Sequence, residues 1–187
     1  VDILWVGART TVNPFSVQEI ADALKGVDIP VMVKNPVNPD LELWLGAFER
    51  LSRAGIKTMS AIHRGFSSFD KGPFRNAPMW DLSIELKTRM PGIEMICDPS
   101  HIAGNRDLIA LVSQKALDLD MAGLMIESHL NPDAAWSDAK QQVTPANLGK
   151  IVDSLVVRSV SSDNKTFKDT LGILRDQIDQ LDDEIMQ

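Results

Sequence analysis

The chain has 187 residues, 44% of them hydrophobic and 24% charged, the make-up of one folded domain with an appendage and not of a disordered or fibrous protein. Its net charge of −7 argues against a general nucleic-acid surface, which needs clustered excess Lys and Arg, and leaves any anionic ligand to a local basic cluster. The single cysteine, Cys97, rules out an internal disulfide and suits a reducing compartment. No apolar run reaches the ~20 residues of a membrane span and no signal-peptide layout is present, so a cytoplasmic protein without membrane partners is expected.

In chain order, Val1 to Val6 reads as a short strand, followed by a turn through Gly7 to Pro14 and a helix from Ser16 to Lys25 with Ser16 as N-cap and Glu19 three residues on. Further strands are predicted at Pro30 to Lys34, Lys57 to His63, Ile93 to Cys97 and Ala122 to Glu127. Helices are predicted at Asp40 to Ala54, Trp80 to Met90, Arg106 to Leu119 and Thr144 to Leu155. Strands alternating with helices imply βαβ units and a parallel sheet buried on both faces. There are about five such units, whereas an eight-unit barrel takes ~250 residues. The sheet is therefore either open and five-stranded, or part of a barrel whose first three units are absent.

After Val157 the character changes. Residues 158–166 read as a linker, and a helix from Phe167 to Met186 carries Leu171, Leu174, Ile178, Leu181 and Ile185 at spacings of three and four, a heptad seam that requires partner helices. A homo-oligomer is one expected way to cover it.

Chemistry-bearing residues recur at the predicted strand ends. Arg9, Lys34 and Arg64 follow three consecutive strands and share one mouth of a parallel sheet, suited to phosphate or carboxylate. Gly7 and Gly65 would let a ligand approach the backbone. His101, Glu127 and Asp138 supply borderline and hard donors at the same mouth, a divalent-metal set compatible with manganese foremost, and with iron, cobalt or zinc. Glu127 follows Leu124, Met125 and Ile126, where an unpaired carboxylate would be costly to bury. Asp98 is a candidate partner behind the metal ligands or a further substrate contact. His63 should point away from Arg64 on the same strand, His129 lies in a loop-breaking segment, and Cys97 and the four tryptophans read as packing residues. Phosphate-loop, dinucleotide and Ser-His-Asp signatures are absent from the sequence.

Gly7-Ala8-Arg9-Thr10-Thr11, Lys34-Asn35-Pro36, His63-Arg64-Gly65, Asp98-Pro99-Ser100-His101 with Gly104-Asn105-Arg106-Asp107, Ile126-Glu127-Ser128-His129 and Ser137-Asp138-Ala139-Lys140-Gln141 occur in the order found in 3-deoxy-D-arabino-heptulosonate 7-phosphate (DAHP) synthases. The chain resembles that family over roughly residues 1 to 155. The resemblance implies part of a (β/α)8 barrel that condenses phosphoenolpyruvate with erythrose 4-phosphate, the first step of the shikimate pathway, with a divalent metal. It also implies that Gly7, Ala8, Arg9, Lys34 and Arg64 hold phosphoenolpyruvate, with Lys34, Arg64 and His101 acting in catalysis, and that His101, Glu127 and Asp138 ligate the metal. The family's fourth ligand, a cysteine on the first barrel strand, and its Lys-Pro-Arg-Thr segment on the second have no counterpart here, and Cys97 belongs to a different motif. The C-terminal helix resembles the opening of an all-helical chorismate mutase domain, with Arg175 at the position of an active-site arginine, which implies a bifunctional parent. Two alternatives are weighed: a 3-deoxy-D-manno-octulosonate 8-phosphate synthase, which the Asp98 to Asp107 run and the C-terminal helix disfavour, and a non-catalytic half-barrel with a helix-mediated assembly role.

Overall fold

The computed structural model describes residues 1–158 and 164–185. Five strands, β1 (Leu4–Val6), β2 (Val31–Lys34), β3 (Met59–His63), β4 (Glu94–Cys97) and β5 (Gly123–Leu124), form one sheet in the order β1-β2-β3-β4-β5, with every neighbouring pair parallel. Between and after them run α1 (Ala8–Thr11), α2 (Pro14–Ala23), α3 (Leu41–Arg53), α4 (Trp80–Arg89), α5 (Pro99–Ala103), α6 (Ile109–Asp118) and α7 (Pro145–Ser154). A doubly wound sheet reverses its strand order at a switch point. Here the order never reverses, and right-handed crossovers then place every helix on one side of the sheet, which is the wall of a barrel and settles the choice left open by the sequence.

The helices are held to that wall by stripes of apolar residues. In α3, Trp44, Ala47, Phe48 and Leu51 recur at helical spacing and are essentially solvent-free, and the Trp44 indole donates to the Val33 carbonyl of β2 at 3.1 Å. Burying three such large side chains contributes roughly 1.5–3 kcal/mol each. Asp40 accepts from the Leu43 amide at 3.0 Å and starts the helix as its N-cap. On the strands, Val31 and Val33 are buried while Met32 and Lys34 are half-buried, the alternation that carries Lys34 to the mouth.

Several boundaries differ from expectation. Asn13, not Ser16, caps α2, accepting from the Phe15 and Ser16 amides, with Pro14 in the first turn. The turn after β1 contains α1, so Arg9 stands on a helix. The Arg106 to Leu119 helix begins with a 3-10 turn at Arg106–Leu108. The last strand is two residues long, not six: the Met125 amide still donates to the Cys97 carbonyl of β4 at 2.7 Å, but from Glu127 on the chain bonds to the Val143 segment, the Val143 amide donating to the Glu127 carbonyl at 3.1 Å and that of His129 to the Val143 carbonyl at 2.9 Å. Trp44 packs in the core as expected, but Trp136 is fully exposed and Trp5 largely so.

The chain divides into two compact units, Val1–Val156 and Val157–Gln187. Of the expected linker, residues 159–163 lie outside the described residues, as does Met186. Within the second unit, α8 (Lys165–Ile185) starts two residues earlier than predicted, with the Asn164 side chain accepting from the Phe167 amide at 3.1 Å. Leu174, Ile178, Leu181 and Ile185 are exposed along it. Among the described residues no helix is long and apolar enough to cross a membrane.

Candidate metal and anion site

Strand register brings the C-terminal ends together: Lys34 pairs with Ile62, His63 with Cys97, and Cys97 with Leu124. The residues that follow these strand ends therefore converge on one mouth. A cavity of about 440 Å³ opens there, lined among others by Gly7, Ala8, Arg9, Lys34, Arg64, Arg75, Asn76, His101 and Asp138. All three cations expected from the sequence face it.

Lys34 and Arg64 are positioned by different devices. Lys34 Nζ lies 2.8 Å from Asp98 Oδ2, a nearly solvent-free carboxylate. The Asn35 side chain, fully buried, donates to the Pro36 and Gly65 carbonyls at 2.8 Å each and accepts from the Arg64 amide at 2.7 Å, which staples the end of β2 to the end of β3. Arg64 is buried, with Nη1 donating to Asn76 Oδ1 at 3.0 Å. Burial lowers its pKa, and Arg75 and Arg9 act in the same direction, while Asp98 and Asp138 oppose them. Gly7 has open space where a Cβ would stand, as expected for ligand approach. Gly65 does not: its φ is +74° and a Cβ would lie 2.9 Å from that of Asn76, so its lack of a side chain serves the close packing of the Asn76 loop.

The second cluster is carried by α5 and the two segments after β5. Asp98 caps α5, accepting from the His101 amide at 3.0 Å, and Pro99 occupies its first turn. His101 thus sits on a helical turn beyond the strand, not at the strand's end. Its Nδ1 is buried without a hydrogen bond, standing 2.9 Å from Asp98 Oδ2 and 3.7 Å from Glu127 Oε1. Glu127, three residues beyond β5, is tied by its amide to Ser100 Oγ at 3.0 Å. Asp138 has a left-handed backbone (φ +53°), a conformation that Asp tolerates better than most residues. One ligand atom from each of His101, Glu127 and Asp138 lies within 4.8 Å of the others.

Three residues to which the sequence assigned no role complete this arrangement. Arg75 Nη1 donates to Asp138 Oδ1 at 2.6 Å and to Gln141 Oε1, and Gln141 Nε2 donates to Glu127 Oε2 at 3.0 Å. Asn76 Nδ2 donates to the His101 carbonyl at 2.6 Å. One oxygen of each carboxylate is thereby engaged, and the other stays available to a cation. Hydrogen bonding to Arg75 lowers the pKa of Asp138. For Asp98, burial opposes ionisation, but His101 and Lys34 outweigh it and its pKa is lowered too. Gln141 and Asn76 could have been suspected only as polar residues in otherwise ordinary loops, and Arg75 only as a cation beside one.

His63 is fully buried against Phe66 and Trp80 and stands apart from the cluster. His129 is engaged in a local turn with Asn131. Cys97 is buried in the core, and burial raises its thiol pKa.

A parallel β/α wall with cations and metal-type donors at the C-terminal ends of its strands defines an enzyme-like barrel mouth. The DAHP synthetase I family model matches residues 1–160, and the chain belongs to that family. It is 27% identical over 173 residues to the phospho-2-dehydro-3-deoxyheptonate aldolase of Thermotoga maritima, a match covering 92% of this chain and 46% of that protein. A truncated form of the 3-deoxy-D-arabino-heptulosonate 7-phosphate synthase from Thermotoga maritima superposes with a TM-score of 0.71 at 25% identity, covering 82% of this chain and 56% of that one. A second structure, of the phospho-2-dehydro-3-deoxyheptonate aldolase (DAHP synthase) of the same organism, gives the same TM-score and identity over 82% of this chain and 43% of that one. The chain spans about half the length of these relatives, and its sheet corresponds to part of a (β/α)8 barrel.

Proposed function

We propose that this chain carries the phosphoenolpyruvate and metal sites of a DAHP synthase, which joins phosphoenolpyruvate to erythrose 4-phosphate and releases phosphate in the shikimate pathway. The observation that supports this best is the adjacency of a cationic cavity to a His-Glu-Asp donor set on one barrel mouth. In this reading Arg9, Lys34 and Arg64, with the open backbone at Gly7 and Ala8, hold the phosphate and carboxylate of phosphoenolpyruvate. Arg64 and Lys34 orient it so that C3 attacks the aldehyde carbon; water adds at the electron-deficient C2, the bond from C2 to the phosphate oxygen breaks, and the two cations stabilise the departing phosphate.

The donor set fits a divalent cation. One donor atom from each of His101, Glu127 and Asp138 lies within 4.8 Å of the others, and imidazole with two carboxylates suits manganese, with iron, cobalt or zinc as alternatives. When bound by His101, Glu127 and Asp138, the metal would act as a Lewis acid on the aldehyde oxygen. Asp98 keeps Lys34 and His101 oriented, and its buried charge offsets that of Lys34.

The test is binding followed by turnover. Calorimetry should detect phosphoenolpyruvate and Mn²⁺ binding, and the parent enzyme should consume phosphoenolpyruvate only when erythrose 4-phosphate and metal are both present. Failure of the protein to bind phosphoenolpyruvate, or full activity in His101→Ala or Glu127→Ala, refutes the reading.

The proposal extends to α8 as the opening of a chorismate mutase-like domain, with Arg175 as a substrate contact. The exposed apolar seam of α8 supports this as a surface for partner helices, in a homo-oligomer or with further helices. A cytoplasmic location is part of the same proposal.

A further inference from the structure

Arg75 has two claims on its charge. Its guanidinium holds Asp138 and Gln141, and through Gln141 it is linked to Glu127, so both carboxylates of the donor set are on one hydrogen-bonded chain. The same side chain lines the cavity that holds Arg9, Lys34 and Arg64. Asp138 in turn has two competing cations, Arg75 and a metal bound beside His101.

We infer that Arg75 is a positioning residue that couples the anion cavity to the metal site. An anion in the cavity draws the Arg75 guanidinium away from Asp138, and the freed carboxylate then binds the cation more tightly. The inference rests on the functional reading above and adds to it a thermodynamic link between the two sites.

The surrounding structure suits a side chain that swings on a fixed base. The Arg75 amide donates to the Ile102 and Ala103 carbonyls at 3.0 and 3.2 Å, which fixes its backbone to the helix bearing His101. Directly beneath its side chain, Gly104 closes α5 with φ +65°, and a Cβ there would stand 2.3 Å from Arg75 Cβ. The aliphatic stem of Arg75 therefore crosses the end of α5 only because residue 104 has no side chain. The outer part of Arg75 is less restrained, its side chain being 43% exposed. The adjacent Asn76 spans the same two sites, accepting from Arg64 in the cavity and donating to the His101 carbonyl beside the metal ligands. Consecutive residues of one loop thus contact both clusters. Since coupling is reciprocal, metal must also tighten the anion.

The test is Mn²⁺ binding to this chain, followed by electron paramagnetic resonance with and without phosphoenolpyruvate. In the unaltered protein phosphoenolpyruvate should strengthen Mn²⁺ binding, on the order of tenfold. In Arg75→Met, Mn²⁺ should bind several-fold more tightly without the anion, and the coupling should shrink below about twofold. Should Arg75→Met unfold, Arg75→Gln, which is uncharged but can still hydrogen-bond Gln141, carries the same expectation. Both ligands binding without coupling, or coupling that survives removal of Arg75, overturns the inference while leaving the functional reading standing. Failure of phosphoenolpyruvate to bind at all overturns both.

Discussion

Acidification should unfold this protein partly through His63. The imidazole is fully buried, its ring centroid 5.0 Å from that of Trp80 and 5.8 Å from that of Phe66, and neither nitrogen makes an aligned hydrogen bond. Burial lowers its pKa from 6.5 to about 3, with the Pro78 backbone opposing this only in part. The unfolded chain takes up a proton on this residue below pH ~6.5, whereas the folded chain does so only near pH 3, so stability falls across that window by about 1.4 kcal/mol per pH unit. Between pH 7 and pH 4.5 the loss is about 3 kcal/mol, a large part of a typical domain's ~5–15 kcal/mol. Urea unfolding of the parent and of His63→Leu at both pH values isolates the effect, because titration of Asp98 and Asp138 is common to both proteins. The parent should lose about 3 kcal/mol more than the variant. Equal losses in the two proteins would refute the assignment of a buried, neutral imidazole.

Lys34→Met leaves Asp98 buried without its ammonium partner, and thermal denaturation should show a loss of about 3–5 kcal/mol; a loss under ~1 kcal/mol would mean that His101 alone supports the charge. Asn35→Ala removes the staple between β2 and β3 and strands the Arg64 amide and two carbonyls, for which about 2–3 kcal/mol is expected in denaturant titration, with no measurable change counting against it. Gly104→Ala forces a Cβ into Arg75 at a positive φ and should both destabilise the fold and disturb the Asp138 contact; a variant as stable as the parent would contradict the packing described. Glu127→Gln should weaken Mn²⁺ binding by at least tenfold, and unchanged affinity would remove Glu127 from the donor set.

Much of the site was legible because it is tied to strand ends. Arg9, Lys34 and Arg64 follow runs whose apolarity marks buried parallel strands, and parallel register carries whatever follows such strands to one mouth. Exact placement was less legible. Ser16 has the residue type of an N-cap, yet Asn13 takes that role because Pro14 favours the first helical turn. The Ala122 to Glu127 run is apolar enough for a strand, but its pairing with β4 stops after Met125, and from Glu127 on the chain bonds to the Val143 segment. His101 looked like a strand terminus, whereas Asp98 and Pro99 start a helical turn at that point.

Arg75, Asn76 and Gln141 mark the boundary between the two kinds of information. Periodicity and residue chemistry by themselves determine the alternation of strands and helices, the candidate ligands and the cations, since these are local properties of the chain. Which polar loop residue meets which ligand depends on how loops more than sixty residues apart fold over the barrel mouth, as Arg75 and Asp138 do. Only the tertiary structure decides that, because such contacts follow from the packing of the strands beneath them and leave no periodic trace in the sequence.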